Sequence, residues 1–354
     1  MSNPAPRSEP RLGRRLAFSF AVLLIVGMLA EGAARLFGPP VMPPDASHDA
    51  ADGQEVPGEP NMLGDALAGW RSKVGQQHSF GVPGGTTVSP EGLRGVTSLG
   101  PKAAGERRVL LLGDSSVFGV LVRDEDTFGA RLEAALRRQD PGIRVLNGGC
   151  PGYSSWQALA VLRHRLAATA PDLVVVATLW SDTQGAERPD SVRFGGPARR
   201  LLYQSRAFLV LGRWVEALRY GPGARPPAPE PVSFGLQPLA APTTRVPIGE
   251  YGRNLRALAR EARRLGGEVA YLVLPCVRDP ADGRVGDFRD RWRQVMRETA
   301  AAEGAPLADA PPAFASTNPG AMFLDEVHPS PAGHARIAEV LSAALGEWTG
   351  GVRH

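Results

Sequence analysis

Lysine is almost missing from this chain: Lys73 and Lys102 are the only two in 354 residues. The net charge of +4 therefore comes from arginine. Those arginines are scattered over helical patterns and form no aromatic-interleaved basic patch, which argues against a nucleic-acid partner. Cysteine is scarce too. Cys150 and Cys276 are too few for a disulfide scaffold or a cysteine metal site. Their pairing stays open if the domain is exported; inert buried thiols are the plainer reading. The six histidines and the carboxylates lack His-x₃-His or similar ligand spacing, so no metal or cofactor is expected. There is no internal repeat.

Only one long apolar run is present, near the N-terminus. Residues 1–15 are polar, with Arg7, Arg11, Arg14 and Arg15 against Glu9. Leu16 to Ala30 carries no charge, and apolar character continues to Phe37, broken by Glu31 and Arg35. These two are spaced to pair on one helix face. As a helix, 16–37 would reach roughly 33 Å, enough to cross a bilayer. The basic flank comes first, so the N-terminus is expected in the cytoplasm and the rest of the chain outside. A cleaved signal peptide is the alternative reading. Residues 38–61 are rich in Pro, Gly, Asp and Ala, the composition of a linker. Residues 62–107 hold Trp70, Phe80, Val82 and the run Val88 to Gly95. They read as short strands and turns packed on the main domain.

From 108 to 350 strand and helix patterns alternate. Strands are expected at Arg108–Leu112, Ile143–Leu146, Leu173–Thr178, Glu268–Leu274 and Pro306–Asp309. Helices are expected at Thr127–Gln139, Ser155–Thr169, Glu250–Leu265, Phe288–Glu303 and Pro331–Leu345. Such alternation builds a parallel sheet with right-handed crossovers. A long insertion, 183–249, interrupts it. Its amphipathic part, Ala198 to Tyr220, has three readings: a helical cap beside the active site, a surface helix packed on the sheet, or a membrane-surface helix. The Pro-rich run 221–231 is expected to be mobile.

The chemistry gathers around Val109-Leu110-Leu111-Leu112-Gly113-Asp114-Ser115. An unbroken apolar strand ends in a turn, and Ser115 stands at the entrance to a helix. In an open α/β sheet that edge binds ligands. A serine hydroxyl needs a base to act as a nucleophile. Asp325-Glu326-Val327-His328-Pro329 supplies one, because an aspartate three residues before a histidine can orient its imidazole. Gly-x-Ser-x-Gly is not met at Ser115, since Val117 replaces the last glycine, which disfavours the nucleophile elbow of the α/β-hydrolase fold.

Gly113-Asp114-Ser115 early and Asp325-x-x-His328-Pro329 before the last helix, in this order, resemble the SGNH (GDSL-type) hydrolase family over about two thirds of the chain. The resemblance implies a flavodoxin-like three-layer α/β/α fold, here preceded by a single transmembrane helix. It implies an esterase with Ser115 as nucleophile, His328 as base and Asp325 as orienting acid. It also implies oxyanion donors: the backbone N–H of Ser115, that of Gly152 in Asn147-Gly148-Gly149-Cys150-Pro151-Gly152, and a side chain after the third strand. There the family's Gly-x-Asn-Asp is replaced by Leu179-Trp180-Ser181-Asp182. Ser181 thus stands where an asparagine amide is usual, and Asp182 matches. Asp114 and Asp182 are possible accessory residues. Donors aimed at a nascent oxyanion contribute about 3–4 kcal/mol each. The expected substrate is a small-molecule or glycan ester, an O-acetyl group on an envelope glycan being one example. An O-acyltransferase and a non-catalytic binding protein with the same fold are the alternatives. The orientation is testable: alkaline phosphatase fused to the C-terminus is expected to be active in a bacterial host, and an inactive fusion contradicts export.

Overall fold

The computed structural model describes residues 10–38, 62–77, 82–196, 202, 204–220, 242–279, 289–315 and 317–350. The Pro-rich run 221–231 lies outside them. A 28-residue helix, Pro10–Phe37, comes first. It begins six residues before the uncharged stretch, so Arg11, Arg14 and Arg15 form its opening turns; arginine is a good helix former. From Gly13 to Phe37 it is long and apolar enough to cross a membrane. Glu31 and Arg35 pair on it at 2.7 Å.

Four short strands come next: β1 (Met62–Asp65), β2 (Gly69–Ser72), β3 (Gly75–Gln77) and β4 (Thr86–Val88). They form two antiparallel pairs. The main sheet is built from β5 (Arg107–Gly113), β6 (Ile143–Asn147), β7 (Leu173–Ala177), β10 (Glu268–Val273) and β11 (Leu307–Asp309). Between them β8 (Gly185–Ala186) pairs antiparallel with β9 (Thr243–Thr244), which brings the two ends of the insertion together.

The five main strands are all parallel, in the order β11-β10-β7-β5-β6. Numbered by appearance this is 2-1-3-4-5, the flavodoxin-like order. The central strands β5, β7 and β10 carry buried apolar runs without alternation, because helices cover both faces. Phe128–Leu136 lies beside Pro331–Ala344, and Ser155–His164 packs on Ile248–Arg264, which packs on Asp290–Glu303. The expected helix Ser155–Thr169 is two pieces: the α-helix ends at His164, and Leu166–Thr169 is a 3₁₀ turn. Capping sets several starts. Thr127 Oγ1 accepts the Ala130 N–H, and Ser330 Oγ that of Gly333, which satisfies N–H groups that the first helical turn leaves unpaired.

The insertion helix runs Arg206–Tyr220. Its described contacts differ from those of a lid over the active site. It packs on the N-terminal helix, where the Glu31 carboxylate accepts the N–H groups of Arg206 and Ala207 at 2.9 and 3.0 Å.

Residues 62–107 contribute to the core. Trp70 is completely buried, edge-on to Tyr153 and Phe194. Its indole N–H donates to the Pro151 carbonyl at 3.0 Å, and the Tyr153 hydroxyl donates to the Trp70 carbonyl at 2.7 Å. Trp70→Ala is expected to destabilise the protein by about 3–5 kcal/mol, measured by chemical denaturation of the detergent-solubilised chain. A shift near zero would mean that 62–107 is dispensable to the core.

Candidate active site

The site is built where β5 ends. Gly113 is paired with Ala177 of β7, and there is no room for a side chain: a Cβ would fall 2.3 Å from the Ala177 carbonyl oxygen and from Val117 Cγ2. This close approach lets the chain turn at once into the short helix Ser115–Phe118. Asp114 caps it. Its Oδ1 accepts the Ser116 N–H at 3.0 Å, and its Oδ2 accepts the Trp180 N–H at 3.2 Å. Asp114 is wholly buried, and loss of hydration pushes its pKa up to about 6 despite these donors and the nearby His328.

Behind this turn Asn147, at the end of β6, donates its side-chain amide to the Val117 and Phe118 carbonyls at 2.9 and 3.2 Å. The Arg94 guanidinium, also buried, donates to the carbonyls of Phe118, Gly119 and Val122 and pairs with Asp124 at 2.8 Å. The carbonyls just after the serine are thus held by two side chains from outside its helix.

The histidine arrives from the loop before the last helix. Asp325 Oδ1 accepts the N–H groups of Val327 and His328 at 2.9 and 2.8 Å, which folds the loop back on itself. Oδ2 lies 2.5 Å from His328 Nδ1, and His328 Nε2 lies 2.7 Å from Ser115 Oγ. An Nδ1–H donated to the carboxylate leaves Nε2 free to accept the serine proton. Burial alone would raise the Asp325 pKa, but the His328 hydrogen bond and charge and the two backbone N–H groups hold it below the ordinary carboxylate value. The loop is also fastened from outside: Ser116 Oγ donates to the Val327 carbonyl at 3.1 Å, and the Val277 N–H to that of Glu326 at 2.9 Å.

Gly152 sits in the loop after β6 with φ +77°, a left-handed conformation that favours glycine. Among the described residues neither its N–H nor that of Ser115 donates to any acceptor. Its carbonyl is held by Arg245, at 2.7 Å. Arg245 is fully buried and also binds Asp190 and the Gln157 and Gln184 side chains. Ser154 Oγ donates to Asp190 at 2.7 Å, and the Ser154 N–H to Gln157 at 3.0 Å. A buried, multiply bonded pair thus fixes the loop that carries Gly152. Sequence reasoning missed Arg245, Asp190 and Asn147, whose partners lie far along the chain. Arg94 lay in a block noted only as strand and turn.

Ser181 is buried, and no described residue accepts from its hydroxyl. Trp180 directs its ring toward Arg293, whose guanidinium lies 5.5 Å from the ring centroid. Asp182 Oδ1 accepts the Ser155 N–H at 2.9 Å, and Oδ2 has no partner among the described residues. Cys150 and Cys276 are both free and buried, and burial pushes the Cys150 thiol up to about 11. No group of three or more metal-ligand side chains occurs among the described residues.

The doubly wound parallel sheet, carrying serine, imidazole and carboxylate in hydrogen-bonded series at its carboxyl edge, has the SGNH hydrolase fold. The chain belongs to the GDSL-like Lipase/Acylhydrolase family, whose model matches residues 111–336, and is an ester-bond hydrolase. No curated protein sequence matches it. Among solved structures it is similar to LAE5, an alpha/beta hydrolase enzyme from the metagenome of Lake Arreo, Spain. Identity is 19%, covering 70% of this chain and 98% of that one, with a TM-score of 0.46. Axe2, an acetylxylan esterase from Geobacillus stearothermophilus, is 19% identical over 68% of this chain and 95% of its own, with a TM-score of 0.45. TesA is 20% identical over 68% and 99%, with a TM-score of 0.43.

Asp182 generates a pH prediction. Burial, foremost, raises its pKa from the ordinary 3.8 to about 7. The folded chain then keeps a proton that the unfolded chain has released, so this group costs stability as pH rises from about 4 to about 7. Asp182→Asn keeps an acceptor for the Ser155 N–H and removes the charge. Its melting temperature relative to wild type is expected to be higher at about pH 8 than at about pH 5. An equal difference at both pH values contradicts the raised pKa.

Proposed function

We propose that Ser115 is the nucleophile of a two-step acyl transfer to water, with His328 as base and Asp325 as its orienting acid. The observation that carries this reading is the unbroken series Ser115 Oγ, His328 Nε2 and Nδ1, Asp325 Oδ2, with separations of 2.7 and 2.5 Å. His328 takes the hydroxyl proton as Oγ bonds to the ester carbonyl carbon. The C–O bond to the alcohol then breaks, and His328 returns the proton to the departing alkoxide. In the second step His328 deprotonates a water whose oxygen bonds to the acyl carbon, the C–O bond to Ser115 breaks, and His328 returns the proton to Oγ.

The oxyanion of each tetrahedral intermediate is received by the N–H groups of Ser115 and Gly152. Both lack an acceptor among the described residues, as a donor reserved for a transient charge should. The Ser181 hydroxyl is the third donor, shorter in reach than an amide. Asp114 and Asp182 act as accessory groups by holding the loops in register. The substrate is an ester of a small molecule or glycan, with a short acyl group such as acetate on an envelope glycan. The N-terminal helix anchors the protein, residues 1–15 lie in the cytoplasm, and the domain from 108 to 350 works on the exported side, joined through 38–61.

The test is turnover of p-nitrophenyl acetate by the detergent-solubilised chain. Ser115→Ala is expected to lower kcat by about a thousandfold or more and to abolish labelling by a fluorophosphonate probe. Equal rates and equal labelling in the two proteins would overturn the assignment.

A further inference from the structure

An amphipathic helix on a globular domain normally turns its apolar stripe inward. The insertion helix Arg206–Tyr220 does the reverse. Leu211, Trp214, Val215 and Leu218 match the i, i+3, i+4, i+7 pattern of one face, and they are 62%, 69%, 54% and 83% exposed. On the opposite side Leu209 is buried against Ala66 of the β1–β2 turn, with Phe208 and Val210 beside it. The domain thus grips this helix by its far side and leaves the apolar stripe without a partner among the described residues.

Where the helix starts identifies what covers that stripe. Glu31 stands near the end of the apolar segment of the N-terminal helix. Its carboxylate accepts the N–H groups of Arg206 and Ala207 and the Ser205 hydroxyl, at 2.9, 3.0 and 2.8 Å. The neighbouring Arg35 donates to the Gln204 carbonyl. A carboxylate at a helix N-terminus satisfies orphan N–H groups and favours the helix dipole. The clasp therefore fixes the first turn of one helix to the exit end of the other. Leucine, valine and an exposed tryptophan on one face, with Arg206, Arg213 and Arg219 against Glu216 in the same helix, is the composition of a helix lying in a bilayer interface.

We infer that the Arg206–Tyr220 helix lies in the headgroup region of the leaflet from which the N-terminal helix emerges, its Leu211–Leu218 stripe facing the acyl chains. The inference rests on the N-terminal helix being a membrane span. The occupant is the lipid surface, because the stripe begins beside residues that the span carries to that surface. Together the two helices hold the domain against the membrane at two points.

The test uses the full chain in vesicles of phosphatidylcholine and phosphatidylglycerol, with the fluorophore NBD on Leu218→Cys or, separately, on Leu23→Cys. The protein without an introduced cysteine measures background labelling of Cys150 and Cys276. The label at 218 is expected to emit at blue-shifted wavelength and to be quenched by lipids doxyl-labelled near the headgroup but not by aqueous iodide. Iodide quenching at 218, with lipid quenching at 23, overturns the inference and leaves the span intact. A label at 218 shielded from both quenchers indicates a protein partner and also overturns it. A label at 23 that lipid does not quench removes the span, and the inference with it. With the label on Trp214→Cys, adding Leu211→Glu and Leu218→Glu is expected to abolish lipid quenching while p-nitrophenyl acetate turnover stays unchanged. Retained quenching at that site contradicts the role of the stripe.

Discussion

A carboxyl group shut away from water sits at the point where the site is assembled. Asp114 joins two loops that leave neighbouring parallel strands, capping the helix of Ser115 with one oxygen and holding the Trp180 N–H with the other. Its burial is costly, as the upward push on its pKa shows. The return is geometric. Gly113 and Ala177 are already register partners, and the carboxyl ties the turn after β5 to the Trp180 N–H in the loop after β7. The turn bearing Ser115 and the loop bearing Ser181 cannot drift apart without leaving buried donors unpaired, a penalty of about 1–3 kcal/mol for each.

The rest of the site obeys the same logic, in which backbone position is set by side chains from elsewhere. Asn147 and Arg94 hold the carbonyls just after Ser115. Asp325 first folds its own loop through two N–H groups and then meets the imidazole. Arg245 holds the Gly152 carbonyl and, through Asp190 and Gln157, the residues after it. Preorganisation of this kind is what an electrostatic site needs, because donors already in place need no rearrangement when charge appears.

The main sheet was legible because its strands are buried on both faces. Val109–Leu112 is an uninterrupted apolar run, short and closed by Gly113, which suits a strand of a parallel sheet better than a helix. Ser115, Asp325 and His328 were legible as two short motifs in a fixed order. What escaped was whatever depends on long-range pairing. Arg245 meets Asp190, Gln157 and Gly152 across separations of 55, 88 and 93 residues, and nothing local marks it as buried. The insertion helix shows a different limit. Its periodicity was plain, but periodicity gives the width of an apolar stripe and not the neighbour it faces. The start of that helix is held instead by Glu31, some 175 residues earlier.

The two ends of the insertion carry unequal burdens. Asp190 near its start and Arg245 near its finish are locked together with no access to water, while the long stretch between them touches the site through no described hydrogen bond. Altering one partner alone strands a charge in the interior, at a cost of about 3–5 kcal/mol. The arginine and the aspartate therefore act as a single unit, a seal at the base of the insertion that holds only while both halves are present.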